Sequence, residues 1–177
     1  TASQANNHNV NAVLVRVADH DGSVPREKNA WMVVQPSGAF YGTIGGGALE
    51  WDAQAQARRM MQARGARFLS RAQALGPSLG QCCGGHVVLH FELFLAEDTA
   101  QLVLFADLAS TTPLAATIGS DGRVVRQVIG KENIAGRDGW TENYDAQSAP
   151  LLLFGAGHVG RALVLALTPL PFSVRWI

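Results

Sequence analysis

Apolar and polar positions along this chain follow two periods, and the periods predict its elements. Val13-Leu-Val-Arg-Val17 is β-rich and mostly apolar, a strand buried on at least one face. Asp19 to Asn29 carries turn residues and predicts a loop, in which Pro25 fixes the backbone just before Arg26. Trp31–Gln35 and Phe40–Ile44 flank Pro36-Ser-Gly38 and predict a hairpin. From Leu49 the period changes to steps of three and four: Leu49, Ala53, Ala57, Met60 and Met61 form one stripe, opposite Asp52, Gln56, Arg59 and Gln62. That is an amphipathic helix, ended by Gly65.

A polar, Arg-containing segment leads from there to Leu75-Gly-Pro-Ser-Leu-Gly80. Strict alternation returns at His86–Leu95, with Val87, Leu89, Phe91, Leu93 and Leu95 on one face and His86, Val88, His90, Glu92 and Phe94 on the other. Glu97 to Ser110 predicts a helix capped by Asp98 or Thr99, although its apolar middle also suits a strand. Pro113–Ile118 and Val124–Ile129 bracket Gly119-Ser-Asp-Gly122 as a second hairpin. Residues 130–150 are polar and turn-rich. Leu151–Phe154, the helical run from Arg161 to Leu167, and Phe172–Ile177 then read as a βαβ unit. The expected fold class is α/β: a mixed N-terminal domain over 1–149, with β-hairpins and a helix after the triple glycine, followed by a truncated first βαβ unit of a Rossmann-like domain over 150–177.

Composition narrows the function classes. Fourteen Lys+Arg balance 14 Asp+Glu, so the global field offers no general pull on nucleic acid or an anionic membrane, and any anion must be held by local geometry. No apolar run approaches the roughly 20 residues of a membrane span, and the polar N-terminus lacks the look of a signal peptide. A cytoplasmic location is the expectation. The chain starts at Thr1 rather than Met, which suggests processing or a piece of a longer protein. Its only cysteines, Cys82 and Cys83, are neighbours; Cα atoms ~3.8 Å apart are too close for a relaxed disulfide, and free thiols suit a reducing compartment.

Candidate chemistry gathers in three glycine stretches. At Thr43-Ile-Gly-Gly-Gly-Ala-Leu-Glu50 a strand passes into a helix through Gly45, Gly46 and Gly47, so free amides collect at the positive end of a helix dipole, an anion cradle in outline or simply a tight turn. Glu50 stands in the helix's first turn, where a carboxylate favours the dipole or contacts a ligand. Gly80-Gln-Cys-Cys-Gly-Gly85 sets two soft sulfur ligands in glycine-rich backbone, with the Gln81 amide suited to the polar edge of a heterocycle and Gly84 beside it. Both thiols are also readable as small buried groups. Gly155-Ala-Gly-His-Val-Gly160 places Gly155, Gly157 and Gly160 after a strand and at the start of a helix, the context a dinucleotide fingerprint requires; the acidic residue that would read the ribose falls past Ile177. His86 and His90 lie ~13 Å apart along a strand, too far to share one ion. No HExxH, GxxxxGK[ST] or Ser-His-Asp order accompanies these stretches, so binding is more legible than catalysis.

Four segments also resemble one family. Gly22-Ser-Val-Pro-Arg26, Gly42-Thr-Ile-Gly-Gly-Gly-Ala-Leu-Glu-Trp51, Leu75-Gly-Pro-Ser-Leu-Gly-Gln-Cys-Cys-Gly-Gly85 and Leu153-Phe-Gly-Ala-Gly-His-Val-Gly-Arg-Ala-Leu163 are similar, in order, to the XdhC/CoxI family of xanthine dehydrogenase accessory proteins. The resemblance implies a chaperone rather than an enzyme. Such a protein binds molybdenum cofactor, protects it, supports its sulfuration with a cysteine desulfurase, and delivers it to the molybdenum subunit of xanthine dehydrogenase, often as a homodimer. It implies that Arg26, Gly45, Gly46, Gly47, Glu50, Gln81, Cys82, Cys83 and Gly84 serve the cofactor, with Cys82 or Cys83 near molybdenum. The alternative expectation is an NAD(P)-dependent oxidoreductase using Gly155, Gly157 and Gly160.

Overall fold

The structure is a computed structural model that describes residues 11–63, 65–76, 84–100, 102–103, 105, 113–129, 139–144, 149–167, 170 and 172–177. The chain divides into two compact units, 1–143 and 144–177. The sequence pattern sets the junction at 149/150.

The first unit is built on a five-stranded antiparallel sheet in the order β3-β2-β1-β5-β4. Its strands are β1 (Ala12–Asp21), β2 (Trp31–Val34), β3 (Phe40–Gly42), β4 (Phe68–Ala74) and β5 (His86–Phe94), and helix α1 (Gly47–Ala63) follows β3. The β2–β3 hairpin and the α1 stripe lie where the periodicity places them: Leu49, Ala53, Ala57, Met60 and Met61 pack on Val13, Val15, Val17, Met32, Val34, Val87, Leu89, Phe91 and Leu93. Each of the larger side chains contributes about 1.5–3 kcal/mol by leaving water.

Two expectations for this unit are corrected. β1 continues to Asp21 through the residues read as loop, because a register shift between Val17 and Asp19 re-seats Asp19, His20 and Asp21 against Val88, Val87 and His86. The segment read only as polar contains β4. It is an edge strand whose Arg71 answers Asp52 of α1 at 2.9 Å, so a charge at an inward position conceals the alternation.

A second antiparallel sheet, in the order β7-β6-β8, joins β6 (Leu114–Ile118), β7 (Val124–Val128) and β8 (Trp140–Glu142). The predicted hairpin is β6–β7. Before it, a 3-10 turn at Ala96–Asp98 leads into helical residues at 99–100, 102–103 and 105; the remainder of the expected helix to Ser110 lies outside the described residues. In the second unit, β9 (Ala149–Leu153) and β10 (Phe172–Trp176) pair in parallel and are joined by helix α2 (His158–Leu167), a βαβ unit. Among the described residues no helix is long and apolar enough to cross a membrane.

Candidate functional site

The triple glycine is a built nest, and an internal anion sits in it. Gly45, Gly46 and Gly47 take φ of 125°, 76° and 62°, values that side-chain-bearing residues avoid. One turn into α1, Glu50 folds back. Its Oε1 accepts the N–H of Ile44 at 2.9 Å, the N–H of Gly46 at 2.9 Å and the Thr43 hydroxyl at 2.5 Å, while Gly45 N–H donates to Thr43 Oγ1 at 3.1 Å. Burial alone would push this carboxyl up, but the donors at Thr43, Gly46 and Ile44 together outweigh it and hold Glu50 below the ordinary carboxylate value. The Ile44 and Gly46 amides of this turn are thus engaged by the protein's own side chain.

The loop carrying Arg26 is gripped from two sides by residues without side chains. On one side a Cβ at Gly45 would collide with the ring of Pro25 and stand 3.7 Å from Arg26 Cγ. On the other, Gly85 N–H donates to Ser23 O at 3.1 Å, and a Cβ at Gly85 would run into the carbonyl oxygens of Asp21 and Ser23. Gly85 O in turn accepts Leu75 N–H at 2.8 Å, tying the loop to the β4 and β5 ends. Gly22–Arg26, Gly42–Trp51 and the last residues of the Leu75–Gly85 motif thus meet at one place. Space beside Gly46 and Gly84 is open, since a Cβ at either would meet nothing within 4 Å. The Arg26 side chain is 39% exposed and meets Glu27 only at 3.7 Å, a loose surface pair that leaves its fork able to take a ligand anion. Gln81, Cys82 and Cys83 lie outside the described residues.

A second polar cluster fills the face of the large sheet away from α1, the face on which the alternation of β5 places His90 and Glu92. Arg16 of β1, 2% exposed, donates to Asn29 Oδ1 and to His90 Nδ1, each at 3.0 Å, and lies 3.6 Å from Glu142 of β8. Arg126 of β7 bridges the two sheets, holding Glu142 at 2.7 Å and Glu92 of β5 through both guanidinium ends. Trp140 Nε1 donates to Glu142 at 2.8 Å, and its ring stacks on Phe68 and meets His90 edge-on. Burial, helped by Arg16, lowers His90 to about 4, so the ring is neutral near pH 7 and accepts from arginine. Glu92 is raised by burial despite Arg126, whereas Glu142 is lowered because Arg126 and Arg16 overcome its burial. The cavity among these groups is about 10 Å³, room for one water at most. The sequence signal was a lone arginine inside an apolar strand, Val13-Leu-Val-Arg-Val17.

In the second unit the Gly155 turn lies between β9 and α2. Gly155 has φ 102°, its N–H donates to Ile177 O at 3.0 Å, and its carbonyl accepts Trp176 Nε1 at 2.9 Å. A Cβ at Gly160 would strike that carbonyl, so this glycine lets α2 approach the turn, while the space beside Gly157 is open.

The model of the XdhC and CoxI family matches residues 6–72, which include the Gly22–Arg26 and Gly42–Trp51 motifs. No curated protein matches the chain. A Bacillus halodurans crystal structure described as a xanthine dehydrogenase is similar to it in fold, with a TM-score of 0.65 at 19% identity over 97% of this chain. The match covers 59% of that protein, so the present chain spans about three fifths of its solved neighbour. Over residues 6–72 the chain carries the pattern of the XdhC and CoxI family, and the resemblance drawn from its Pro-Arg and triple-glycine motifs stands.

Proposed function

We propose that this chain is the cofactor-holding part of a maturation factor for a xanthine dehydrogenase-type enzyme, binding molybdenum cofactor without turnover of its own. The observation that carries the reading is the meeting of three motif segments on the loop Gly22–Arg26, with Gly45 on one flank and Gly85 on the other. In this reading Arg26 takes the cofactor's phosphate, and the open backbone beside Gly46 and Gly84, with Gly47 next in the turn, receives the pterin. Gln81 meets the pterin edge, and Cys82 or Cys83 lies near the metal. The cofactor supplies a molybdenum–dithiolene centre; the protein's part is to hold it and exclude oxidants. Xanthine dehydrogenase, a cysteine desulfurase and a second copy of the chain are the proposed partners, and the cytoplasm the proposed location.

The test is anaerobic loading followed by molybdenum analysis and pterin fluorescence. Wild-type protein is expected to retain cofactor, Arg26→Ala to lose affinity by about tenfold or more through its charge-assisted contacts, and Cys82→Ala or Cys83→Ala to weaken retention. Full retention in the double cysteine variant would remove the thiols from the site, and no uptake by wild type would remove the reading. A second reading, a nicotinamide-dependent oxidoreductase, is favoured by the Gly155–Gly160 geometry alone; titration with NAD(H) and NADP(H) on a longer chain tests it.

A further inference from the structure

We infer that Glu50 is a positioning residue that sets the selectivity of the loop cluster: it fills the triple-glycine nest with an internal anion, so that a ligand's negative group is turned away from the nest and toward Arg26. The inference rests on the cofactor-holding reading above and adds the polarity with which the ligand lies.

The geometry supports this in three ways. First, the amides of Ile44 and Gly46, the donors a phosphate would seek at this turn, both converge on one carboxylate oxygen at 2.9 Å, with the Thr43 hydroxyl on the same atom. Second, Glu50 belongs to the first turn of α1, so its carboxylate is tethered beside these donors at an effective concentration that no free anion in solution matches. It also neutralises the positive end of the helix dipole that would otherwise draw an external anion. Third, the side chain is only 8% exposed, so its charge is poorly screened and repels a second anion placed on the same turn. Among the described residues, Arg26, beside Gly45 and 39% exposed, is a cation next to this turn that is open to solvent. A ligand with a negative end and a neutral heterocyclic end is thereby oriented: its neutral end faces the open space at Gly46 and its negative end faces Arg26.

The experiment follows the backbone amides of Ile44 and Gly46 by NMR, using inorganic phosphate and acetate at constant ionic strength and no molybdenum cofactor. In the wild type, lowering the pH is expected to move both amides together through one ionisation below the ordinary carboxylate range, while phosphate at neutral pH leaves them unmoved. In Glu50→Ala the same two amides should respond saturably to acetate, and the unfolding midpoint should rise with it, an effect absent from the wild type. Glu50→Gln, which keeps the shape and one acceptor oxygen, should fold and lose the low-pH transition; it serves if Glu50→Ala does not fold. Wild-type amides that shift saturably with phosphate, or that ignore the low-pH ionisation, would overturn the inference. Cofactor uptake together with phosphate-responsive wild-type amides would sink it while leaving the cofactor reading intact, and silent amides without uptake would do the reverse.

Discussion

The two faces of the five-stranded sheet are built on opposite principles. Toward α1, Val13, Val15, Val17, Val87, Leu89, Phe91 and Leu93 are all apolar and at most 2% exposed. Away from it, Leu14, Arg16, His90 and Glu92 face β7 and β8, and the contacts are directed ion pairs and hydrogen bonds through Arg126, Glu142 and Trp140. Hydrophobic burial has no preferred direction, so the α1 face supplies stability without dictating one arrangement in detail. The ionic face works the other way. Its charges come at a desolvation cost that their pairing barely recovers, yet each has named partners on specified strands, so a register slip of one residue would leave them buried and unpaired.

Substitutions can break this contrast, beginning with the largest effect. Phe91→Ala on the α1 face should lower the unfolding free energy by about 3–5 kcal/mol in denaturant titration, since it removes a fully buried ring and leaves a cavity. Arg126→Met on the other face should cost about 3 kcal/mol because Glu92 and Glu142 lose their common cation; adding Glu92→Gln and Glu142→Gln should recover part of the loss. Recovery is what distinguishes an ionic face from an apolar one, and a triple variant no better than the single would erase the distinction.

Acid sharpens the comparison with a smaller effect. Between pH 6.5 and about 4 the unfolded chain binds a proton that folded His90 refuses, so stability should fall as pH drops through that window, by on the order of 2 kcal/mol. His90→Gln should flatten that part of the pH profile, while a substitution on the α1 face should not. At the edge, Asp52→Asn removes the half-exposed partner of Arg71 and should change stability by about 0.2–1 kcal/mol, with the difference shrinking in high salt.

What the sequence disclosed follows the same division. Local periodicity and turn residues were enough for the β2–β3 and β6–β7 hairpins, α1 and β5, because each is specified by neighbours in the chain. β4 is not legible locally because Arg71 interrupts its apolar alternation and its meaning depends on Asp52, which lies on another element. Similarly, nothing local to Arg16, His90, Arg126 or Glu142 reveals that they meet; their proximity is set by strand register across residues far apart in sequence. At the candidate site, glycine content and Pro25-Arg26 mark segments that the structure brings together. The filling of the nest was not legible, since a first-turn carboxylate reads equally well as dipole compensation or as a ligand contact.

The joint between Gly85 and Ser23 has a mechanical consequence. A single peptide hydrogen bond, with no side chain to cushion it, couples the end of the cysteine-bearing motif to the strap that carries Pro25, and Pro25 bears directly on Gly45. A displacement of Gly85 would therefore pass through backbone and the Pro25 ring toward Gly45, so the two flanks of the Gly22–Arg26 loop are set together rather than independently.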